Sequence, residues 1–507
     1  MRSHQGVASV DLTTGLESDA SRRFTHSLPG FLLKHLLIVS VFAALLKILA
    51  GGAASHSPYS YDEADYMYAT KLGLSVNYTD TPTMPFVEFL QTGLSHRPLP
   101  PTKLSALIRG SNDIVFYRHW HGPLYFYSLM LISQFNLDEY RMRLFNVAFA
   151  VVSLVVIYVG VSWVLGSTQG TLAAILASAL FVWSAAAVRS VELAPHQAFV
   201  SCSLASLFLL SKTATTGNRL YFYWAMAVAA LSCCLLEVGF VVVATCGVCA
   251  YVERRNLHTG WKLAMRSLLV FLSTISVVWP GSIMKLSLVK GYLFMAYLAL
   301  FRKSPWGAQG FMETWERRFL SSPLEWLVIG VSLFTWTILR RPESNRRVLY
   351  PFFWYAAMML VTTMRVTTGS PRYSLLFEPA LDVLAGCILA AYLTGLRRPI
   401  TAYAVAIILS LALFAETWIN LQRQPVRPDT RLSSLLVYIR ENRLESSRLL
   451  VPQTDLPTLH YYFPNSHLLG YTDSEAELPA AQDSSADGLL YPGLPIRYES
   501  FSSREIN

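Results

Sequence analysis

The sequence predicts an all-α polytopic membrane protein, and two observations carry that prediction. Of its 507 residues, 53% are hydrophobic and only 14% are Asp, Glu, Lys or Arg, with a mean hydropathy of +0.38; soluble domains carry about 25% charged residues. Apolar runs long enough to cross a hydrocarbon core of roughly 30 Å recur along the chain, about eleven in all. They fall near 31–53, 144–165, 170–188, 196–211, 221–236, 238–252, 267–283, 324–339, 348–364, 374–395 and 399–420. The bilayer is therefore the main solvent of this chain.

Charge and cysteine usage narrow the class. A net charge of +9 raises nucleic-acid binding, but the basic residues form no single stripe and sit in short breaks between apolar runs, so no nucleic-acid partner is expected. All six cysteines, Cys202, Cys233, Cys234, Cys246, Cys249 and Cys387, lie inside apolar segments. They read as small buried hydrophobes and not as a disulfide framework or a zinc site. The first apolar run follows about thirty polar residues and precedes no clear cleavage site, so it reads as an uncleaved first span.

With the N-terminus in the cytoplasm, the inner breaks hold Arg22, Arg23 and Lys34; Lys212 and Arg219; Arg254, Arg255 and Lys262; Arg340, Arg341, Arg346 and Arg347; and Arg397 with Arg398. This is the positive-inside bias, repeated five times. The domain reading is a cytoplasmic polar segment 1–30, a transmembrane domain 31–420 with outer loops 54–143 and 284–323, and an outer module 421–507. That module patterns as helix, strand, helix and strand, and its Ser-, Asp- and Pro-rich end reads as disordered. The expected fold class is thus a helical bundle of about eleven spans with outer juxtamembrane helices and a small α/β C-terminal module.

Most polar residues able to do chemistry fall on the outer side. "YSYDEADYMYAT", 59–70, sets Asp62, Glu63 and Asp65 among tyrosines just after the first span. Ser60 and Glu63 fit a capping box, which needs no catalysis. Helical spacing puts Asp62, Asp65 and Tyr66 on one face and turns Glu63 about a quarter-turn away; the residues leave capping and function both open. "RHWHGPLYFYSLML" brings His119 and His121 before a Gly-Pro break and a helix too short to span, which an aromatic belt would also explain. "RSVELAPHQ" spaces Glu192 and His196 by four around Pro195, and Glu237 stands alone between two apolar runs; turn solvation is the plain reading of both. "GSPRYSLLFEPALD" puts Arg372 and Tyr373 at an outer boundary and Glu378 and Asp382 inside the next span, where acids are rare and functional by default. The loop 284–323 carries Lys285, Lys290, Arg302, Lys303, Arg317 and Arg318 among aromatics. It reads either as an amphipathic interfacial helix or as a cationic rim for a phosphate.

Taken in this order, the pieces resemble the membrane glycosyltransferases of the C-type fold, and among them the protein O-mannosyltransferase and aminoarabinose-transferase relatives (glycosyltransferase family 39-like). The resemblance rests on the Asp62-Glu63 pair in "YDEADY", on "HGPLYF" from His121, a His-Pro-Pro-Leu-like stretch, and on the Arg-Tyr of "PRYSLLFEPAL". It covers residues from about 31 to 420 and implies an inverting transfer of a sugar from a polyprenyl-phosphate carrier, dolichyl phosphate among them, to a glycan, lipid or protein acceptor on the outer face. It makes Asp62 the expected base and His121 a site for a divalent metal or for the donor phosphate; the outer-face acids add Glu63 beside the base, and Glu63 or Glu192 as a further ligand with His121 for such a metal (Mg, Mn or Zn). Arg372, Tyr373, Lys290 and Arg302 are the expected phosphate contacts; Asp65, His119, His196 and Glu237 are further candidates. The implied location is a bacterial inner membrane, or the endoplasmic reticulum of a eukaryote.

Two departures stand out. Gly122 replaces the first proline, and a long Pro-rich insert separates Glu63 from His121. The loop 284–323 is also too short for the extra globular domain of eukaryotic protein mannosyltransferases. A transporter or flippase of a lipid-linked sugar is the alternative, and its mark would be two related halves with interrupted spans, which the sequence does not display.

Overall fold

The computed structural model describes residues 28–71, 121–253, 260–280, 282, 311–338, 343–364, 370–395, 399–423, 430–452, 455–471, 488–491 and 497–500. His119, Lys290, Arg302 and the Pro-rich insert lie outside the described residues.

Each expected span lies mainly on one helix among the described residues. These helices are α1 (Leu28–Ala53), α4 (Glu139–Leu165), α5 (Ser167–Trp183), α7 (His196–Thr216), α8 (Arg219–Cys233), α9 (Phe240–Val252), α10 (Trp261–Val278), α12 (Pro323–Ile338), α13 (Glu343–Thr363), α14 (Glu378–Leu393) and α15 (Pro399–Arg423). Between them lie shorter helices: α2 (Tyr61–Lys71), α3 (Leu124–Ser133), α6 (Ala185–Arg189) and α11 (Phe311–Ser321). Among the described residues, five helices are by themselves long and apolar enough to cross a bilayer, namely α1, α4, α7, α10 and α15. A sixth span results if α11 and α12, bent by 96° at their junction, are counted as one. Leu36, Val41, Val159, Leu272, Ile407 and Leu411 point their side chains away from the protein, as lipid-facing positions do. The chain is a multi-pass integral membrane protein.

Local chemistry sets the helix ends. Asp138 caps α4, its carboxylate accepting from Arg141 N at 2.7 Å. Gly217, at φ 67, closes α7 in the left-handed conformation that a Cβ disfavours. In the bundle interior α5 and α14 approach so closely that a Cβ on Gly386 would lie 2.5 Å from the Ala177 amide nitrogen. Small residues let helices meet at backbone distance where lipid supplies no hydrophobic drive.

The break at Ser184 divides the third expected span into α5 and α6, with the Ser184 hydroxyl capping α6 through Ala187 N at 3.0 Å. The chain then turns at 190–195 into α7. This break places Glu192 and His196 at the end of the bundle that also receives α2.

The C-terminal module begins with α16 (Thr430–Glu441) and continues as β1 (Arg448–Pro452), α17 (Leu456–Tyr462) and β2 (His467–Tyr471), in the expected order. Within the Ser-, Asp- and Pro-rich end, the described residues form β3 (Gly488–Tyr491) and β4 (Arg497–Ser500). The sheet runs β2-β1-β3-β4, with β1 parallel to β2 and β3, and β4 antiparallel to β3. Composition hid these strands because each is short, β3 taking its partner β1 from earlier in the chain and β4 pairing with β3. Leu432, Leu435, Ile439, Val451 and Leu459 form a separate small core, and Arg431 grips Asp455 bidentately at 2.6 and 2.8 Å.

This module docks on the segment before α2. Tyr462 donates its hydroxyl proton to Glu139 at 2.8 Å and accepts from Tyr59 N at 3.0 Å, while Thr458 donates to Tyr59 O at 3.0 Å.

Candidate active site

Helix α2 starts directly on its acids, and its first turn sends two adjacent carboxylates to different partners. Glu63 is buried, its side chain 4% exposed against Arg143 at 5%. The Arg143 guanidinium donates from Nε to Oε1 at 2.9 Å and from Nη2 to Oε2 at 2.6 Å. Its Nη1 donates to the carbonyls of Ser55 and Ser57, each at 2.8 Å. Glu63 also accepts from Leu193 N at 3.0 Å and, weakly, from Ser60 N at 3.4 Å. The reach-back of the capping box is therefore present, but the main duty of Glu63 is to fasten α2 to α4 and to the turn before α7.

Asp62 points elsewhere. Its Oδ2 accepts from Arg372 Nη2 at 2.6 Å, a bond that joins positions 310 residues apart. The pair is more open, with side chains 30% and 17% exposed. Glu192 approaches the same guanidinium at 3.8 Å, its own side chain 55% exposed. Burial works against the charge of Arg372, but Tyr373, Asp62, Tyr66 and Glu192 around it outweigh that and hold its pKa above the ordinary value. The turn Pro371–Leu376 carries Arg372 and Tyr373 to this point, and the guanidinium stands 5.3 Å over the Tyr373 ring.

A third pairing lies alongside. His121 Nδ1 and Glu237 Oε2 are 2.7 Å apart; because a carboxylate accepts, Nδ1 carries the shared proton. The substitution of glycine at 122 has a reason here: a Cβ would sit 2.1 Å from the carbonyl of Cys234. The adjacent Leu124 N donates to Cys234 O at 3.0 Å, so the two backbones cross where only glycine fits, and the crossing sets His121 against Glu237. Tyr66, fully buried, links this pair to α2, with its ring 6.0 Å from His121, 6.3 Å from Tyr125 and 5.6 Å from Phe126. His196, also buried, meets Tyr373 edge-on at 5.5 Å, and its Nδ1 makes no hydrogen bond among the described residues. Asp65, half-buried, lies one turn along α2 from Asp62.

The structure therefore brings Asp62, Glu63, His121, Glu192, His196, Glu237, Arg372 and Tyr373 to one end of the bundle. It does not assemble His121 and Glu192 into a metal set: Glu192 turns to Arg372, and among the described residues no group of three His, Cys, Asp or Glu side chains could hold an ion. Arg318, expected on a cationic rim, is buried instead, its guanidinium 4.7 Å over the Trp315 ring. Arg143 is the residue that sequence reasoning missed, although an arginine in the second turn of an apolar helix, "EYRMRLFNVAFA", is the signal that could have found it.

The family profile described as dolichyl-phosphate-mannose-protein mannosyltransferase matches residues 120–279. No curated protein matches the sequence. Among solved structures, ArnT from Cupriavidus metallidurans bound to undecaprenyl phosphate superposes with a TM-score of 0.55 at 14% identity, over 88% of this chain and 88% of that one. The archaeal oligosaccharyltransferase AglB from Archaeoglobus fulgidus, in complex with an inhibitory peptide and a dolichol-phosphate, gives a TM-score of 0.52 at 12% identity, over 86% of this chain and 64% of that one. The Archaeoglobus fulgidus oligosaccharyltransferase in complex with Zn and sulfate gives 0.52 at 12%, over 85% and 62%. The fold is shared with ArnT and AglB.

Proposed function

We propose that this protein is a membrane glycosyltransferase that moves a sugar from a polyprenyl-phosphate-linked donor to an acceptor hydroxyl, with inversion at the anomeric carbon. The observation that carries the reading is the partly open Asp62–Arg372 pair, an acid and a cation delivered to one spot by distant segments. The transfer asks for both: a base for the acceptor proton and a cation for the leaving phosphate. The fold supports the reading, because ArnT and AglB carry undecaprenyl phosphate and dolichol-phosphate in their structures.

In this scheme Asp62 takes the acceptor proton while the acceptor oxygen attacks the anomeric carbon from the face opposite the phosphate. Arg372 neutralises the phosphate as the bond to the sugar breaks, Tyr373 buttresses the guanidinium, and Lys290 and Arg302 are further phosphate contacts. Glu63 holds α2 in place through Arg143. His121 and Glu237 form one wall of the site. A divalent ion would need ligands beyond this pair, so no step is assigned to it. The reaction faces the outer side of the membrane, with the N-terminus and the Arg340–Arg347 loop in the cytoplasm and the C-terminal module outside; cysteine labelling at Ser344 and Ser484 from opposite sides tests that orientation.

The activity test uses purified protein in nanodiscs supplied with a polyprenyl-phosphate sugar and a mixture of glycan, lipid and peptide acceptors. Release of polyprenyl phosphate coupled to acceptor glycosylation is expected. Movement of the lipid-linked sugar between leaflets with no cleavage would overturn the enzyme reading in favour of a flippase.

A further inference from the structure

The geometry points to Asp62 and Arg372 as a self-occupied phosphate site, in which the donor phosphate displaces the Asp62 carboxylate from Arg372 and thereby releases it to act as the base. The inference rests on the function proposed above and specifies how its site is armed.

Three observations carry it. Asp62 Oδ2 lies 2.6 Å from Arg372 Nη2, the separation at which a phosphate oxygen would bind. The guanidinium has other anionic or electron-rich neighbours, Glu192 at 3.8 Å and the Tyr373 ring at 5.3 Å, so it stays oriented when Asp62 leaves. The pair is 30% and 17% exposed, whereas the neighbouring Glu63–Arg143 pair is 4% and 5% exposed and carries further backbone bonds on both partners. Only the first pair is open to exchange. A carboxylate engaged by a guanidinium also holds the lone pair that a base must offer, so the closed pair is poorly armed for proton abstraction.

The charges match through one turnover. A polyprenyl-phosphate sugar is a phosphodiester with one negative charge, and it replaces the single charge of Asp62 at Arg372. The acceptor O–H bond then breaks and its proton goes to Asp62. The acceptor oxygen bonds to the anomeric carbon, and the bond from that carbon to the phosphate oxygen breaks, its electron pair leaving with the phosphate. The product is a phosphate monoester bearing a second negative charge, while Asp62, now protonated, no longer competes for Arg372. When Asp62 gives its proton to water it becomes an anion again and can return to Arg372, which helps the product leave. The same pair thus gates donor entry and product exit.

The test measures binding of undecaprenyl phosphate to the protein in nanodiscs by intrinsic tryptophan fluorescence, comparing the wild type with Asp62→Asn and Glu192→Gln. Removing the internal competitor should tighten binding by roughly tenfold in Asp62→Asn, and by less than about threefold in Glu192→Gln, whose contact with Arg372 is longer. Should Asp62→Asn fail to fold, Asp62→Ser removes the same charge and the same rise is required. Unchanged or weaker binding in folded Asp62 variants, beside a wild type that binds the lipid, would overturn the displacement and leave the glycosyltransferase reading standing. No binding of the lipid by any of the proteins, together with no sugar transfer, would overturn both.

Discussion

Asp62 and Glu63 are neighbours in sequence, yet the two ends of their environments differ in kind. Glu63 faces inward to Arg143 in a pair that is nearly sealed and fully hydrogen-bonded, whereas Asp62 faces the opening where Arg372, Glu192 and Tyr373 meet. One acid builds the scaffold and the other is left able to change partners. The difference teaches that a carboxylate's role here follows from the completeness of its hydrogen bonding more than from its place in a motif.

The sharpest way to break the comparison is Glu63→Gln, which leaves Arg143 charged and buried without its counter-ion. Breaking a buried pair from one side costs about 3–5 kcal/mol, so thermal unfolding in detergent should show a large loss of stability, with activity falling through lost folded protein. The amide could still serve a capping box, and a variant as stable as wild type would mean that capping is the whole role of Glu63.

Asp62→Asn should do the opposite. Turnover at saturating donor should fall by at least roughly a hundredfold, the scale of a positioned base, with unfolding temperature little changed. Near-normal turnover would return Asp62 to the helix-start residues.

Gly122→Ala tests the wall beside both acids. The added Cβ overlaps the Cys234 carbonyl, and overpacking of this kind costs about 1–3 kcal/mol; the backbone crossing should open, His121 should move from Glu237, and both stability and turnover should drop. Wild-type behaviour would show that the crossing can shift without consequence.

The smallest effect is expected from Tyr462→Phe. It removes the hydroxyl shared by Tyr59 N and Glu139, worth about 1 kcal/mol per hydrogen bond, and should loosen the C-terminal module, read as faster proteolysis there with donor binding intact.

Much of the architecture was legible in the sequence. The apolar runs gave the helices in order, because a spanning segment must satisfy its own backbone and announce itself by composition. Helical spacing separated the Glu63 face from the Asp62 face before any partner was known. The strands β3 and β4 were not legible, since both are short and β3, on which β4 pairs, takes its own backbone partner β1 from another part of the chain. Arg143 was missed because one arginine inside an apolar helix says that a partner exists but not which.

By itself, then, the sequence determined a polytopic membrane protein, the helices that build it and the short list of polar residues able to do chemistry; these follow from local composition and periodicity. Only the tertiary structure decided the pairings: Glu63 with Arg143, Asp62 with Arg372, His121 with Glu237. Each joins segments far apart in the chain, and an ion pair inside low-dielectric protein depends on distance and exposure, quantities that no linear pattern carries.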